Sequence, residues 1–141
     1  MPSTRPSVAC NCFAIRSAAR QATQFYDRHL AAAGLRTTQF SVLATLARLG
    51  PLAISELAAG MAMDRTTMGR ALRPLEREGL VRIGPGKNGR TRALDLTDLG
   101  RERLREAQPL WRAAQEAFEG RYGRDEASAL RAALARVHEL A

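Results

Sequence analysis

Hydroxyl and guanidinium side chains are concentrated in one short run of the sequence. Arg65, Thr66 and Thr67 are adjacent, and Arg70 and Arg73 follow at intervals of three residues. Arginine can donate two hydrogen bonds to the edge of a guanine, and threonine can offer a base either a hydrogen bond or a methyl contact. These residue types at this spacing predict contacts with the edges of DNA bases.

The same run predicts an amphipathic helix that would carry these side chains. Asp64 is a favourable N-cap residue directly before the run. Met68, Leu72 and Leu75 recur at helical spacing, so they share one face, and Arg77 extends the basic face on the opposite side. A helix of this kind would also fit an ordinary protein surface with solvated charges.

Two neighbouring segments favour DNA binding over that alternative. Upstream, apolar residues at helical spacing predict a short supporting helix from Ile54 to about Gly60, as in a helix-turn-helix. Downstream, the pattern predicts a two-stranded hairpin with a glycine-rich tip. Three basic residues near this tip are expected to contact phosphates or enter a minor groove: Lys87, Arg90 and Arg92.

Positive charge is concentrated in the same part of the chain. Residues 64–92 contain eight Lys and Arg residues and three Asp and Glu residues, so they carry +5 of the chain's total of +8. A merely solvated face would not be expected to concentrate charge in this way. The charge balance therefore favours an acidic partner, with nucleic acid before an anionic membrane.

Taken together, these segments resemble the winged helix-turn-helix of the MarR family of bacterial transcription regulators. The resemblance lies in ELAAGMAMDRTTMGRALRPLEREGLV and in LDLTDLG, which is similar to the Leu-Thr-x-x-Gly that follows the family's wing. The flanking helices also fall where the family has them. The resemblance implies a homodimer that binds a pseudo-palindromic operator in double-stranded DNA, usually as a repressor, and that a small-molecule effector releases.

Carried over residue by residue, the resemblance places Arg65, Thr66, Thr67, Arg70 and Arg73 on the recognition helix and Arg90 at the tip of the wing.

The sequence departs from the family's pattern at three places. Asn88-Gly89-Arg90 stands where the family often carries Asp-Arg-Arg, so one arginine and the aspartate that braces the wing are missing. Ala62 stands where the turn between the two helices often holds a glycine. Pro74 lies inside the recognition helix, where it removes a backbone hydrogen bond and predicts a bend.

The length of 141 residues predicts a single winged helix-turn-helix domain over residues 1–141, mainly α with a small antiparallel β wing. Dimerisation helices are expected at about 12–33 and 98–141, on either side of a DNA-binding unit at about 37–96. Residues 52–53 could add a third strand to the wing.

Local signals predict where two further helices begin. Thr37 or Thr38 is expected to cap the second helix, and Thr97 is expected to cap a long helix from Asp98 to about Glu119. A break is expected at residues 120–123, before the last helix.

The two terminal helices carry apolar residues at alternating spacings of three and four. This seam usually indicates only core packing, but terminal helices beside a compact DNA-binding unit have little else to pack on, so a dimer interface is expected. The seam residues are Leu104, Ala107, Trp111, Ala114 and Phe118 in the first helix, and Ala127, Leu130, Leu134, Val137 and Ala141 in the second.

Two cysteines near the start of the first helix suggest an alternative, thiol-based mode of regulation. Cys12 resembles the reactive cysteine of the family's organic-hydroperoxide sensors, and Tyr26 matches one of the tyrosines that hold that thiolate, while Thr37 stands where a second is expected. A helix N-terminus favours the thiolate form. Cys10 is so near to Cys12 that a disulfide between them would be strained. The alternative is that both are small packed residues at the dimer junction.

The other expected effector is a small aromatic or anionic compound. The family's ligands typically lie between the dimer helices and the DNA-binding unit, where Arg16, Arg20 and Gln24 could line a pocket. Any exposed helix could show the same residues.

Other functional classes are not favoured by the sequence. No hydrolase motif, phosphate loop or Rossmann fingerprint is present, so neither an enzymatic activity nor a cofactor is expected. His29 and His138 lie far apart, and Cys10 with Cys12 has no third ligand nearby, so no metal site is expected. The absence of a long apolar run and of a signal peptide predicts a cytoplasmic protein without a membrane partner. A non-specific architectural DNA-binding protein remains the alternative.

Overall fold

The computed structural model describes residues 9–86, 88–89 and 92–140. They form a mainly helical fold with a small antiparallel sheet, as the sequence predicts. In chain order the elements are α1 (Asn11–Leu30), α2 (Thr37–Leu49), β1 (Leu52–Ala53), α3 (Ile54–Gly60), α4 (Arg65–Arg77), β2 (Val81–Pro85), β3 (Arg92–Leu96), α5 (Asp98–Tyr122) and α6 (Arg124–Val137), with 3-10 turns at Ala31–Ala33 and His138–Leu140.

The cap of α2 is contributed by α1, which corrects the prediction that Thr37 or Thr38 would be the N-cap. Arg36 occupies the N-cap position, and Thr37 is the first helical residue. The carboxylate of Asp27 in α1 accepts hydrogen bonds from the Thr37 backbone nitrogen and hydroxyl, each at 2.7 Å. This cap therefore also joins the first two helices.

The sheet has the strand order β1-β3-β2, and all of its pairings are antiparallel. Val81 pairs with Leu96 and Pro85 pairs with Arg92, so β2 and β3 form the expected hairpin. Strand β1 pairs Leu52 with Leu94, which confirms the predicted third strand. Pro85 lacks a backbone N–H, and its position on an edge strand avoids the loss of a central hydrogen bond.

The core lies between α4, the sheet and the helices α2 and α5. Met68, Leu72 and Leu75 of α4 are buried in it, and Phe40 of α2 stacks on Trp111 of α5 with ring centroids 5.9 Å apart. No polar or charged residue is buried among the described residues. None of the helices in the described ranges has both the length and the hydropathy needed to span a membrane.

The two apolar seams of the terminal helices have different surroundings. Leu104, Ala107 and Ala114 of α5 are buried within the single chain, so the expectation that they form a dimer interface is wrong. In α6, by contrast, Leu134 and Val137 are each 40% exposed. The break between these helices is at Gly123, which has a φ of 110°, and α5 continues through Gly120.

A tight joint connects the end of α4 to the start of α5. The Thr97 hydroxyl accepts a hydrogen bond from the Gly100 nitrogen at 3.0 Å and donates one to the Gly79 carbonyl, while the Thr97 nitrogen donates to the Leu80 carbonyl at 3.1 Å. A Cβ added at Gly100 would overlap the Leu80 carbonyl oxygen. The Leu-Thr-x-x-Gly sequence at Leu96 is therefore a packing motif that holds these two elements together.

We expect the Gly100→Ala substitution to destabilise the protein by about 1–3 kcal/mol, because the added methyl group overlaps backbone that cannot move freely. Gly120→Ala is the matched control. It lies in the same helix, a Cβ added there would have nothing within 4 Å, and replacing a helical glycine by alanine is expected to stabilise by about 0.5–1 kcal/mol. Denaturant unfolding of both variants measures the two effects, and equal stability of the two would contradict the packing role of Gly100.

Candidate nucleic-acid interface

Helix α4 presents two chemically different faces. Met68 and Leu75 are fully buried and Leu72 is nearly so, which fixes this face against the core. The opposite face is open to solvent and carries three predicted contact residues together with one further arginine: Thr66, Arg70, Arg73 and Arg77. Arg65 and Thr67, in the first turn of the helix, are exposed as well. Arg77 was not among the predicted DNA contacts, although its helical spacing from Arg70 and Arg73 was visible in the sequence.

The guanidinium groups on this face are not neutralised by the rest of the described chain. The ion pairs among the described residues involve Arg101, Arg103, Arg124 and Arg131, and none involves an arginine of α4. The arginines of α4 are therefore available for an external anionic partner.

Asp64 caps α4, as the sequence predicts. The cap also involves Thr67, one of the residues predicted to contact DNA. Its carboxylate accepts hydrogen bonds from the Thr67 nitrogen at 2.7 Å and from the Thr67 hydroxyl at 2.9 Å. These hydrogen bonds hold the pKa of Asp64 below its ordinary value. Thr67 is exposed, but its hydroxyl stabilises the first turn of the helix.

The turn between α3 and α4 is formed without a glycine. Ala62 has a φ of 53°, in the left-handed region that favours glycine. The Met63 nitrogen donates to the Ala58 carbonyl at 2.8 Å and so closes the turn. An alanine in this conformation is less stable than a glycine, so the packing of α3 and α4 must maintain it.

The hairpin lies after α4, and only part of its tip falls within the described residues. Arg92 is exposed at the start of β3, and Gly89 has a φ of 68° in a turn closed by its hydrogen bond to the Gly86 carbonyl at 2.9 Å. The predicted contact residues Lys87 and Arg90 lie outside the described residues. Their role stays a prediction.

The predicted redox residues are not brought together within one chain. Cys10 and Cys12 are both exposed, and Cys10 is the N-cap of α1, where its sulfur accepts a hydrogen bond from the Phe13 nitrogen at 3.4 Å. Tyr26 donates its hydroxyl hydrogen bond to Gln115 of α5. Because Tyr26 follows Cys12 by fourteen residues on the same helix, the two lie about 21 Å apart along its axis.

Tyr26 instead belongs to the junction between α1 and α5. Burial and the nearby Glu119 carboxylate raise the pKa of Tyr26, and Arg131 opposes this change. The phenol therefore remains a neutral hydrogen-bond donor to Gln115 near neutral pH.

The predicted effector residues Arg16, Arg20 and Gln24 are exposed on one face of α1. Two cavities among the described residues lie elsewhere and do not include them. One cavity, of about 360 Å³, lies between α2 and α5 beside Arg101 and Arg105, and the other, of about 620 Å³, lies near Asp27 and Arg36.

Within the described ranges there is no cluster of three or more potential metal ligands.

Comparison with known proteins identifies similar regulators. The MarR family model matches residues 35–86. The chain is 42% identical to the M. tuberculosis transcriptional regulator MosR solved in complex with DNA, covering 89% of this chain and 97% of that chain with a TM-score of 0.71. No curated protein matches the chain.

Two further solved structures share the fold. A probable transcriptional regulator from Pseudomonas aeruginosa is 25% identical and covers 92% of this chain and 97% of its own, with a TM-score of 0.79. The transcriptional repressor CouR, solved bound to a 23-mer DNA duplex, is also 25% identical and covers 96% of this chain and 99% of its own, with a TM-score of 0.81.

We expect Asp64→Ala to lower the melting temperature at pH 7, because the first turn of α4 loses its cap. The Asp64 carboxylate has a lower pKa in the folded than in the unfolded chain, so it stabilises the fold above about pH 4. That contribution is lost as the pH falls through the lower folded-state value. The difference between wild type and Asp64→Ala should therefore shrink in acid.

Asp64→Asn is the control, because asparagine caps a helix about as well as aspartate but does not titrate. Thermal unfolding between pH 3 and pH 7 should show a constant melting temperature offset between Asp64→Asn and Asp64→Ala. An offset that changes with pH would contradict this assignment of the cap.

Proposed function

The chain belongs to the MarR family of transcriptional regulators, and from this we propose that it binds double-stranded DNA sequence-specifically as a homodimer. The observation that carries the proposal is the open face of α4, whose guanidinium groups have no carboxylate partner among the described residues. The DNA-bound structures of MosR and CouR support it by similarity.

In the proposed complex, the part of α4 before Pro74 enters the major groove. Arg70 and Arg73 donate to base edges, with Arg65 and Thr66 beside them. Lys87, Arg90 and Arg92 of the hairpin contact the phosphate backbone or the minor groove, and this part of the affinity is salt-dependent.

The proposed homodimer is supported by exposed apolar residues on the first and last α-helices. Phe13 and Ile15 on α1 are 40% and 38% exposed, and Leu134 and Val137 on α6 are each 40% exposed. Exposed apolar residues on two terminal helices are typical of a surface that a second protein covers. A second copy would place two α4 helices on half-sites about 34 Å apart, as a pseudo-palindromic operator requires.

We further propose that the protein is a repressor released by a small aromatic or anionic effector. Arg16, Arg20 and Gln24 lie exposed on one face of α1, and we propose that the second copy covers this face and completes the effector pocket. Ligand binding there would alter the spacing of the two α4 helices, and a small change in that spacing is sufficient to prevent both from entering the groove.

Release by oxidation is a second candidate, favoured by the exposure of both cysteines at the N-terminus of α1. A hydroperoxide would oxidise the Cys12 thiolate to a sulfenic acid and leave as the alcohol. Since Tyr26 is distant from Cys12 in the same chain, Tyr26 could hold this thiolate only from the second copy.

We expect Arg70→Ala and Arg73→Ala to weaken binding to the duplex upstream of the protein's own gene by roughly tenfold or more each, because each removes donors to base edges. Arg105→Ala is the control, since it removes the same charge from an exposed position on α5. Gel shifts with excess random competitor measure the effect, and light scattering verifies that each variant is still dimeric.

The outcomes separate the candidate functions. An architectural protein would bind the random competitor equally well and lose affinity steeply with salt. An enzyme or a protein adaptor would not require Arg70 or Arg73. If Arg70→Ala and Arg73→Ala both bind the specific duplex as tightly as the wild type and the Arg105→Ala control do, sequence-specific reading by α4 is wrong.

We expect a hydroperoxide titration to release the wild-type protein from DNA at lower concentrations than Cys12→Ser, if oxidation is the signal. Cys10→Ser is the matched control, because it changes a thiol two residues away. Gel shifts at increasing peroxide concentration measure the release. Equal release of Cys12→Ser and wild type would show that this thiol is not the sensor.

A further inference from the structure

One residue on α4 has no side chain and no internal reason for lacking one. Gly69 lies in the middle of the helix, four residues after Arg65 and four before Arg73. Glycine weakens a helix interior relative to alanine, because it loses more backbone freedom on folding. Gly60 and Gly120 are helical glycines with equally open Cβ positions, so what distinguishes Gly69 is its place between two arginines of α4.

Several other glycines of the chain have visible structural reasons. Gly34, Gly89 and Gly123 have positive φ angles, and Gly100 lies against the Leu80 carbonyl. Gly69 has ordinary helical backbone, and a Cβ built on it would have nothing within 4 Å. The fold of the single chain would accept an alanine at this position.

The position of Gly69 indicates what a side chain there would meet. At about 100° per residue, it lies about 40° from Arg73 on one side and about 40° from Arg65 on the other, at the margin between the open face of α4 and the face that buries Leu72. Residues three and four apart on a helix are neighbours on its surface. Gly69 therefore forms a shallow gap between two of the arginines that are proposed to contact DNA.

We propose that Gly69 is a specificity-determining residue, which allows the backbone of α4 to approach the edges of the base pairs in the major groove. This inference rests on the proposed DNA-binding function. Glycine is the residue that permits close approach of a backbone to a ligand, and a methyl group at this position would hold the helix away from the bases. The flanking arginines would then lose the distance and angle that two-donor contacts with guanine require.

The proposal requires that stability and recognition change in opposite directions. Gly69→Ala should raise the melting temperature, because the helix gains a better helix former without an internal clash. It should also weaken binding to a specific duplex by at least about tenfold. Binding to random DNA should change by less than about twofold, because non-specific complexes depend on phosphates and not on close contact with bases.

The test uses a duplex that the full-length wild-type protein selects from a randomised library, with fluorescence anisotropy for affinity and thermal unfolding for stability. Gly69→Leu should weaken specific binding more than Gly69→Ala, since leucine is larger and also favours helix. Gly120→Ala is the control, because it replaces another helical glycine whose Cβ position is open. It should raise the melting temperature and leave both affinities unchanged.

Two results would overturn the inference while leaving the proposed function intact. In the first, Gly69→Ala keeps the wild-type preference for the selected duplex while Arg73→Ala loses it. In the second, Gly69→Ala lowers the melting temperature, which would show that an internal contact explains the glycine. If the wild-type protein selects no duplex at all, the proposed function itself is wrong and the inference falls with it.

Discussion

The difference in desolvation cost between guanidinium and aliphatic side chains determines how α4 is oriented. Removing a charge from water without a partner costs far more free energy than burying a leucine or methionine gains. Since Met68, Leu72 and Leu75 share one face of the helix and Arg70, Arg73 and Arg77 share the opposite face, this orientation of α4 is much more stable than the reverse. The sheet, α2 and α5 supply the apolar surface that covers Met68, Leu72 and Leu75. The basic face is directed outward because the guanidinium groups must stay in water.

Features fixed by residues close in the sequence were predictable. The caps by Asp64 and Thr97 each involve a partner three residues away, and the hairpin and the amphipathic face of α4 follow from local spacing. The cap of α2 was not predictable, because its acceptor, Asp27, is ten residues away on another helix. The seam of α5 correctly indicated burial, but a spacing pattern does not reveal whether the covering surface belongs to the same chain.

The candidate site was predictable to a similar extent. Helical periodicity identified which arginines of α4 share a face, and their exposure agrees with it. Periodicity did not reveal that the Thr67 hydroxyl serves the cap, since this depends on the side-chain rotamers of Thr67 and Asp64. For Cys12 and Tyr26, the resemblance to peroxide sensors indicated which residue types to expect. Because the two residues are far apart along α1, they could come close only if Tyr26 belonged to a second chain.

The joint at Thr97 and Gly100 also has a mechanical consequence. Thr97 is hydrogen-bonded to the backbone at both Gly79 and Leu80, and Gly100 leaves no gap between α5 and that segment. The first turn of α5 therefore cannot slide or rotate independently of the chain that leads from α4 into the hairpin. A tilt of α5 would therefore also move the end of α4 and the start of β2, the two elements to which its first turn is bonded and packed.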